Sequence, residues 1–217
     1  MKLKAQAYLR LAAEEWRGKY DSVKPFYEGL AIVKLNDKWG FVDVTGKEVA
    51  PPKYDWVSTF SEGLAQVQLK RKMGFVDKEG KEVVPPKYDQ VGNFSEGFAQ
   101  VRLGGKRGFV DKTGKVVVPL KYNEVWGFRK GLAPVKLNDK WGFVDKTGKE
   151  VVPPKYDYIG DFREGLAKVK LNDMWGFIDV TGKEVVPVRY TDEELPPFSS
   201  LIRLGGDPNV ILEQISS

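Results

Sequence analysis

Residues 140–157 read KWGFVDKTGKEVVPPKYD, and residues 38–55 read KWGFVDVTGKEVAPPKYD. Related phrases recur every 34 residues, so columns of identical residues run through the chain. One column consists of Phe41, Phe75, Phe109, Phe143 and Phe177, and another of Tyr20, Tyr54, Tyr88, Tyr122, Tyr156 and Tyr190. A fixed period of this size, without insertions, indicates a tandem-repeat architecture.

The repeats are predicted to be built from strands. A period of 34 residues is also typical of helical tetratricopeptide repeats, but each unit here contains several glycines, and most contain a Pro-Pro pair, which do not suit helices. In the fourth unit, Ala133, Val135 and Leu137 alternate with Leu132, Pro134 and Lys136, as in a strand with one apolar face.

Each unit therefore reads as a three-stranded antiparallel meander. In the fourth unit the strands are predicted at 131–137, 140–145 and 149–152, the last ended by Pro153 and Pro154. Asn138-Asp139 predicts a tight turn that tolerates positive φ, and Gly148 is expected in a left-handed conformation. The Asp145 carboxylate is expected to accept N–H groups of that second turn.

The motif KWGFVDKTGKEVVPPKYD, followed by F.EGLA.VKLN, resembles the WG-repeat (KWG-repeat) family of mainly bacterial proteins, over about residues 17–191. The resemblance implies β-hairpin repeats in variable number and no general activity. Two units depart from the motif, because Met73 and Arg107 stand where Trp is expected.

The two ends differ from the repeats. We predict three segments: 1–16 as an amphipathic helical cap, 17–191 as the repeat domain, and 192–217 as a degenerate sixth repeat with a C-terminal cap. The stripe of the first helix would contain Ala5, Leu9, Ala12 and Trp16. LIRLGG (201–206) echoes VRLGG (101–105) and is expected as a strand, and Asp207 and Pro208 are expected to start a final helical turn. Capped ends favour an open curved stack, or solenoid, and the alternative is a closed five-bladed β-propeller.

Composition excludes several kinds of chemistry. The 217 residues include no Cys and no His, so thiolate and imidazole catalysis are absent. DKTGK recurs with variations at the same turn, which indicates a structural turn and not a phosphorylated aspartate. No carboxylate pair, metal-ligand cluster or P-loop stands out, so we expect no enzyme activity, no cofactor and no metal. The N-terminus does not read as a signal peptide and no stretch is long enough to span a membrane, so a cytoplasmic location is expected.

The central unit carries a local excess of positive charge. Residues 102–130 contain eight basic and two acidic residues, or 8 − 2 = +6, whereas the whole chain is +5. Such a cluster is either a solvated face or a docking patch for an acidic partner. Trp56 and Trp126 lie outside the main Trp column and are expected to be more exposed than Trp39, Trp141 and Trp175. The candidate binding residues are Arg102, Lys106, Arg107, Lys112, Lys121, Arg129, Lys130, Trp56 and Trp126.

The sequence therefore predicts an all-β repeat protein that acts as a non-catalytic binding or scaffolding module for another protein, which would be acidic if the central basic cluster is a docking patch. The alternatives are a carbohydrate-binding module that uses exposed aromatic residues, and a nucleic-acid-associated protein that uses the central basic patch. The sequence does not specify the oligomeric state.

Overall fold

The computed structural model describes residues 15–203. They form a 3₁₀ helix (Glu15–Lys19), twenty strands in five antiparallel sheets, and one α-helix, α1 (Phe198–Arg203). Each sheet has four strands in the order in which they occur in the chain, and none of the sheets closes on itself. Five successive four-stranded antiparallel sheets make an all-β tandem repeat and not a barrel, as the sequence predicts.

The strand bounds repeat from sheet to sheet. The first sheet contains β1 (Ser22–Val23), β2 (Leu30–Leu35), β3 (Lys38–Asp43) and β4 (Glu48–Tyr54). The second contains β5 (Trp56–Val57), β6 (Leu64–Leu69), β7 (Lys72–Asp77) and β8 (Glu82–Tyr88). The third contains β9 (Gln90–Val91), β10 (Phe98–Leu103), β11 (Lys106–Asp111) and β12 (Val116–Tyr122). The fourth contains β13 (Glu124–Val125), β14 (Leu132–Leu137), β15 (Lys140–Asp145) and β16 (Glu150–Tyr156). The fifth contains β17 (Tyr158–Ile159), β18 (Leu166–Leu171), β19 (Met174–Asp179) and β20 (Glu184–Tyr190).

The chain divides into two compact units. The first contains the chain up to Gly105 together with Phe109–Val116, and the second contains Lys106–Gly108 and the chain from Val117 onward. The first two sheets lie in the first unit, and the last two sheets lie in the second.

The predicted three-stranded meander is present in every sheet, and the crossover between repeats adds a short fourth strand. In the fourth sheet, Glu124 and Val125 pair with Lys136 and Val135 of β14. The turn between β14 and β15 has positive φ at both central residues, 50° at Asn138 and 61° at Asp139. This geometry matches the twist of an antiparallel hairpin and confirms the turn predicted from Asn-Asp.

The second turn of the fourth repeat is held by a carboxylate. Asp145 accepts hydrogen bonds from the backbone N–H of Thr147 at 2.8 Å, from the Thr147 hydroxyl at 2.6 Å and from the backbone N–H of Lys149 at 3.1 Å. These donors, the Thr147 hydroxyl foremost, lower the pKa of Asp145. Gly148 has a φ of 84°, as predicted. The DKTGK segment is therefore a turn whose aspartate has a structural role.

The third strand does not end at the prolines, contrary to the sequence prediction. β16 continues through Pro153 and Pro154 because it is the last strand of its sheet, where a missing N–H breaks no further ladder. Trp141 pairs with Tyr156 and Phe143 pairs with Val152, so β16 has two more residues than β15 between the same two pairs. The prolines therefore form a bulge opposite Gly142, the glycine that follows Trp141 in the Trp-Gly pair of the repeat motif.

This bulge leaves no room for a side chain at that glycine. A Cβ at Gly142 would lie 2.7 Å from Pro154 N and 2.8 Å from Pro153 C, and closer still to the carbonyl oxygen of Val152. The same approach occurs at each equivalent glycine, for example at Gly40, where a Cβ would lie 2.5 Å from the Ala50 oxygen. The glycine therefore follows from the bulge, and not from a turn.

Neighbouring sheets pack face to face within each unit. In the first unit, Phe41 and Tyr54 of the first sheet share a buried cluster with Ala65 and Val67 of β6, and the rings of Phe41 and Phe60 lie 5.0 Å apart. In the second unit, Phe143 and Tyr156 pack in the same way against Ala167 and Val169 of β18. The core is thus a series of similar junctions, each made by two successive repeats.

Most junctions also carry a polar contact between a tyrosine and a glutamate at their edge. The buried Tyr54 hydroxyl donates to Glu82 at 2.9 Å, and Lys53 pairs with the same carboxylate at 2.9 Å. The Tyr122 hydroxyl donates to Glu150 at 2.7 Å, where burial and this carboxylate together raise the pKa of the tyrosine. Val116 replaces the glutamate in the third repeat, and burial alone raises the pKa of its neighbour Tyr88.

The described ends pack on the first and the last sheets. Trp16 and Tyr20 pack on Ala31 and Val33 of the first sheet. Leu201 packs on Phe177 and Val185 of the last sheet. The predicted strand beginning at Leu201 is wrong, because residues 198–203 form α1, which follows Pro196-Pro197. The predicted cap helix, except Glu15 and Trp16, which lie in the 3₁₀ helix, and the predicted turn at Asp207 and Pro208 lie outside the described residues.

We expect Gly74→Ala to destabilise the chain by about 3 kcal/mol, as in severe overpacking. A Cβ there would lie 2.8 Å from Pro85 C and Pro86 N, and β8 cannot move away without losing its packing. Gly92→Ala is the matched control, because its Cβ would meet only ordinary contacts, the nearest at 3.5 Å. Urea unfolding of both variants measures the difference, and equal losses would contradict the steric role of the bulge.

We expect Val116→Glu to stabilise the chain by about 1 kcal/mol. The new carboxylate would accept from the buried Tyr88 hydroxyl, as Glu82 does from Tyr54. The gain should shrink when Tyr88→Phe removes the donor, so thermal unfolding of the two single variants and the double variant measures the coupling. A gain that is the same with and without the tyrosine hydroxyl would contradict this account.

Candidate functional site

The two compact units divide the nine residues that the sequence selects for binding. The first unit contains Trp56, Arg102 and Lys112, and the second contains Lys106, Arg107, Lys121, Trp126, Arg129 and Lys130. Three of the cations pair with carboxylates of other repeats: Lys112 with Glu62 at 3.0 Å, Lys121 with Glu150 at 2.8 Å, and Arg129 with Asp161 at 3.0 Å. Much of the positive charge in this window is therefore balanced within the chain.

The remaining predicted residues lie on strands. Arg102 is half-buried on β10, opposite Gln90 of β9. Lys106 is exposed at the start of β11, and Arg107 next to it is half-buried. Trp56 is 43% exposed on β5, opposite Gln68.

Three of the predicted residues lie together in one groove of the fourth repeat. Trp126, Arg129 and Lys130 form one wall of a groove of about 510 Å³, here called the fourth-repeat groove. Its floor is formed by Leu132, Pro134 and Phe143, and its opposite wall by Asp161, Phe162 and Arg163. The groove thus lies over the fourth sheet, between the crossovers that enter and leave that repeat.

Backbone hydrogen bonds fix the first wall of this groove. The N–H of Trp126 donates to the Pro134 carbonyl at 2.9 Å, and the N–H of Arg129 donates to the Leu132 carbonyl at 2.9 Å. Lys130 (φ 50°) and Gly131 (φ 84°) form the two-residue turn between Arg129 and Leu132. The crossover is therefore anchored to β14 at both of these points, and its backbone is fixed before any ligand arrives.

Trp126 provides an aromatic surface that is supported from within. Its ring is 45% exposed and lies 4.7 Å from the ring of Trp141, which is 9% exposed. The interplanar angle of 54° is a tilted contact between the two rings. Such a supported, half-exposed indole can stack on a sugar, a proline or another apolar group.

The groove is lined by more basic than acidic side chains. Arg129, Lys130 and Arg163 line it with only one carboxylate, that of Asp161. The side chains of Arg129 and Asp161 are 77% and 50% exposed, so their ion pair contributes little to stability. The arrangement can hold an anionic group beside an apolar surface. The 15–203 range contains no cluster of three potential metal-ligating residues.

Equivalent grooves elsewhere have different linings. In the first repeat, a groove of about 430 Å³ is lined mainly by apolar groups, among them Phe26, Tyr27, Ile32 and Phe41. In the second repeat, the Gln66 amide donates to Asn93 of the next crossover at 2.8 Å and so bridges the equivalent position.

In the fifth repeat, Lys168 pairs with Asp192 at 2.5 Å and lies 4.0 Å from the centre of the Trp175 ring. The same framework therefore presents different chemistry in different repeats.

A family profile described as WG containing repeat matches six consecutive segments, at residues 18–39, 39–72, 73–106, 108–141, 141–175 and 175–199. The chain belongs to the WG-repeat family.

No curated protein matches this WG-repeat chain. Among solved structures, the chain is similar to Hsv2 of Kluyveromyces lactis, with 12% identity, a TM-score of 0.38, and coverage of 73% of this chain and 59% of Hsv2. It is also similar to a eukaryotic initiation factor, with 12% identity, a TM-score of 0.45, and coverage of 75% of this chain and 51% of the factor. The WG-repeat chain thus spans less than two thirds of either protein. Neither helix between residues 15 and 203 is long enough to cross a bilayer.

The sequence did not indicate the residues of the second wall of the fourth-repeat groove. Asp161 and Arg163 lie more than 30 residues from Trp126, and only the crossover geometry brings them near it. One sequence signal does point to the groove: several of its residues differ from the residues at the equivalent positions of another repeat. At the positions of Trp126, Arg129, Lys130 and Pro134, the second repeat has Ser58, Ser61, Glu62 and Gln66.

Proposed function

We propose that this chain is a non-catalytic protein-binding module, in which the grooves between crossovers hold an extended segment of a partner protein. The fourth-repeat groove carries the proposal, because it combines a supported, half-exposed Trp126 with cationic side chains on an anchored crossover. Aromatic and arginine side chains are the residue types that dominate the energy of protein interfaces.

The repeat architecture supports the same proposal. The residues that form the junctions recur in nearly every repeat, whereas the residues that line the grooves differ. A stack of this kind can vary its grooves without loss of its core, and repeat proteins commonly bind partners along one extended surface. Ion pairing of Lys112, Lys121 and Arg129 within the chain makes a nucleic acid a weaker candidate.

A carbohydrate is the second candidate, because Trp126 and Tyr158 both expose aromatic surface, at 45% and 47%. Sugars stack on such rings. The two guanidinium groups in the groove favour a peptide with carboxylates over a neutral glycan.

We expect a random-peptide display selection on the intact chain to yield binders that depend on Trp126. Trp126→Ala should weaken them by about tenfold or more, since an anchoring aromatic residue contributes at least ~1.4 kcal/mol. Trp56→Ala is the matched control, because Trp56 is exposed to the same degree but does not line the groove. The selected binders should keep their affinity for this control variant.

Two results would contradict the proposal. One is a selection that yields no binders while a neutral oligosaccharide array yields Trp126-dependent ones. The other is a set of peptides that lose affinity equally in both tryptophan variants.

A further inference from the structure

We infer that the fourth-repeat groove recognises an acidic side chain next to an apolar residue or proline, in an extended peptide. The peptide carboxylate takes the place of Asp161 on Arg129, so that Asp161 acts as an internal substitute for the ligand. This inference rests on the proposed protein-binding function and specifies the chemistry of the segment that is bound.

Several groove positions change together in the fourth repeat. The second repeat has small or polar residues at the equivalent positions, and the Gln66 amide bridges to Asn93 there. The fourth repeat instead has Pro134, which has no polar side chain with which to bridge. The fourth repeat also has Trp126, Arg129 and Lys130 where the second repeat has small or polar residues. The amide bridge of the second repeat is thus replaced by an open groove with apolar and cationic groups.

The contact between Arg129 and Asp161 is suited to exchange. It consists of one ion pair, between Nη1 of Arg129 and Oδ2 of Asp161 at 3.0 Å. A guanidinium can present two parallel N–H donors to one carboxylate, and such paired contacts are stronger than a single one. Since both partners are at least half exposed, little is lost when the pair separates.

The second wall favours an additional carboxylate. Arg163 lies on the same wall as Asp161 and is exposed. With Arg129 at the opposite wall, two guanidinium groups line the groove beside one carboxylate, so an incoming acidic side chain finds net attraction. A neutral amide of the same shape would lack this attraction.

The floor specifies the neighbour of the acidic residue. Leu132, Pro134 and the exposed ring of Trp126 offer apolar surface beside the charged walls. A proline or an aliphatic side chain adjacent to the carboxylate would bury this surface. Proline would also lower the entropy lost on binding, since it restricts the free peptide.

The test uses a positional-scanning library of N-acetylated, C-amidated hexapeptides, with one position fixed as Glu, Gln, Asp, Asn or Lys. Binding of each mixture to the intact chain is measured by fluorescence anisotropy. We expect mixtures with Glu or Asp to bind about tenfold more tightly than their amide counterparts, as for a charge-assisted pair. Their advantage should fall as salt concentration rises.

Three variants connect this preference to the groove. Arg129→Gln should abolish the preference for acid over amide, whereas Asp161→Asn should tighten binding of the acidic mixtures by a few fold because it removes the internal competitor. Lys112→Gln is the matched control, since Lys112 also pairs with a carboxylate of another repeat but lies outside this groove. Thermal unfolding of each variant confirms that the fold is retained.

The outcomes separate the inference from the proposed function. If binding depends on Trp126 but acids and amides bind equally, or the acid preference survives Arg129→Gln, the acidic specificity is wrong and the protein-binding function stands. If no mixture shows Trp126-dependent binding, both are wrong. Preferential binding of an acidic oligosaccharide, such as polygalacturonate, over every peptide mixture would also overturn the inference.

Discussion

Every repeat depends on the close approach of one backbone segment to a glycine. In the fourth repeat, the carbonyl of Val152 and the two prolines after it cross directly over Gly142. Two extra residues in β16 produce this crossing, and the position of β16 at the edge of its sheet permits prolines there. The Trp-Gly and Pro-Pro pairs are therefore two halves of one steric arrangement, although 10 residues separate Gly142 from Val152.

The bulge also affects how each sheet meets the next. Beyond the prolines, Tyr156 is fully buried against the fifth sheet, and its hydroxyl donates to Glu184 at 3.5 Å. Turn glycines make a related contact: a Cβ at Gly182 would lie 3.0 Å from the carbonyl oxygen of Val151. The stability of the chain therefore depends on similar contacts between successive repeats, and the crossovers are left free to carry different side chains. This separation of framework and crossover makes a binding role in the grooves compatible with a strict repeat.

Much of the fold could be predicted because its signals are local or periodic. The turn at Asn138-Asp139, the left-handed Gly148 and the carboxylate cap at Asp145 each depend on residues within a few positions. The buried tyrosine and phenylalanine columns follow from the period. The continuation through Pro153 could not be predicted, because it depends on the place of the strand at the edge of its sheet. The helix at Phe198–Arg203 replaces the strand that the similarity of LIRLGG to VRLGG predicts, and its local signal is the Pro196-Pro197 pair that precedes it.

The candidate site was only partly predictable for a related reason. Trp126, Arg129 and Lys130 depart from their columns, and this departure is visible in the sequence. Their meeting with Asp161 and Arg163 depends on how one crossover lies beside the next. The net charge of residues 102–130 also exceeds the charge that is left unbalanced in the structure, because Lys112 and Lys121 pair with carboxylates 50 and 29 residues away.

The most direct test of the central claim is a double-mutant cycle within the fourth repeat, between Gly142→Ala and deletion of Pro153 and Pro154. The deletion removes the two surplus residues from β16, so Trp141 and Tyr156 can pair in regular register with Phe143 and Val152. If the bulge is the reason for the glycine, the unfolding free energy lost through Gly142→Ala should fall to below about 1 kcal/mol in the deleted background, because the clash is gone. An unchanged loss in both backgrounds would contradict the account and would place the need for glycine elsewhere.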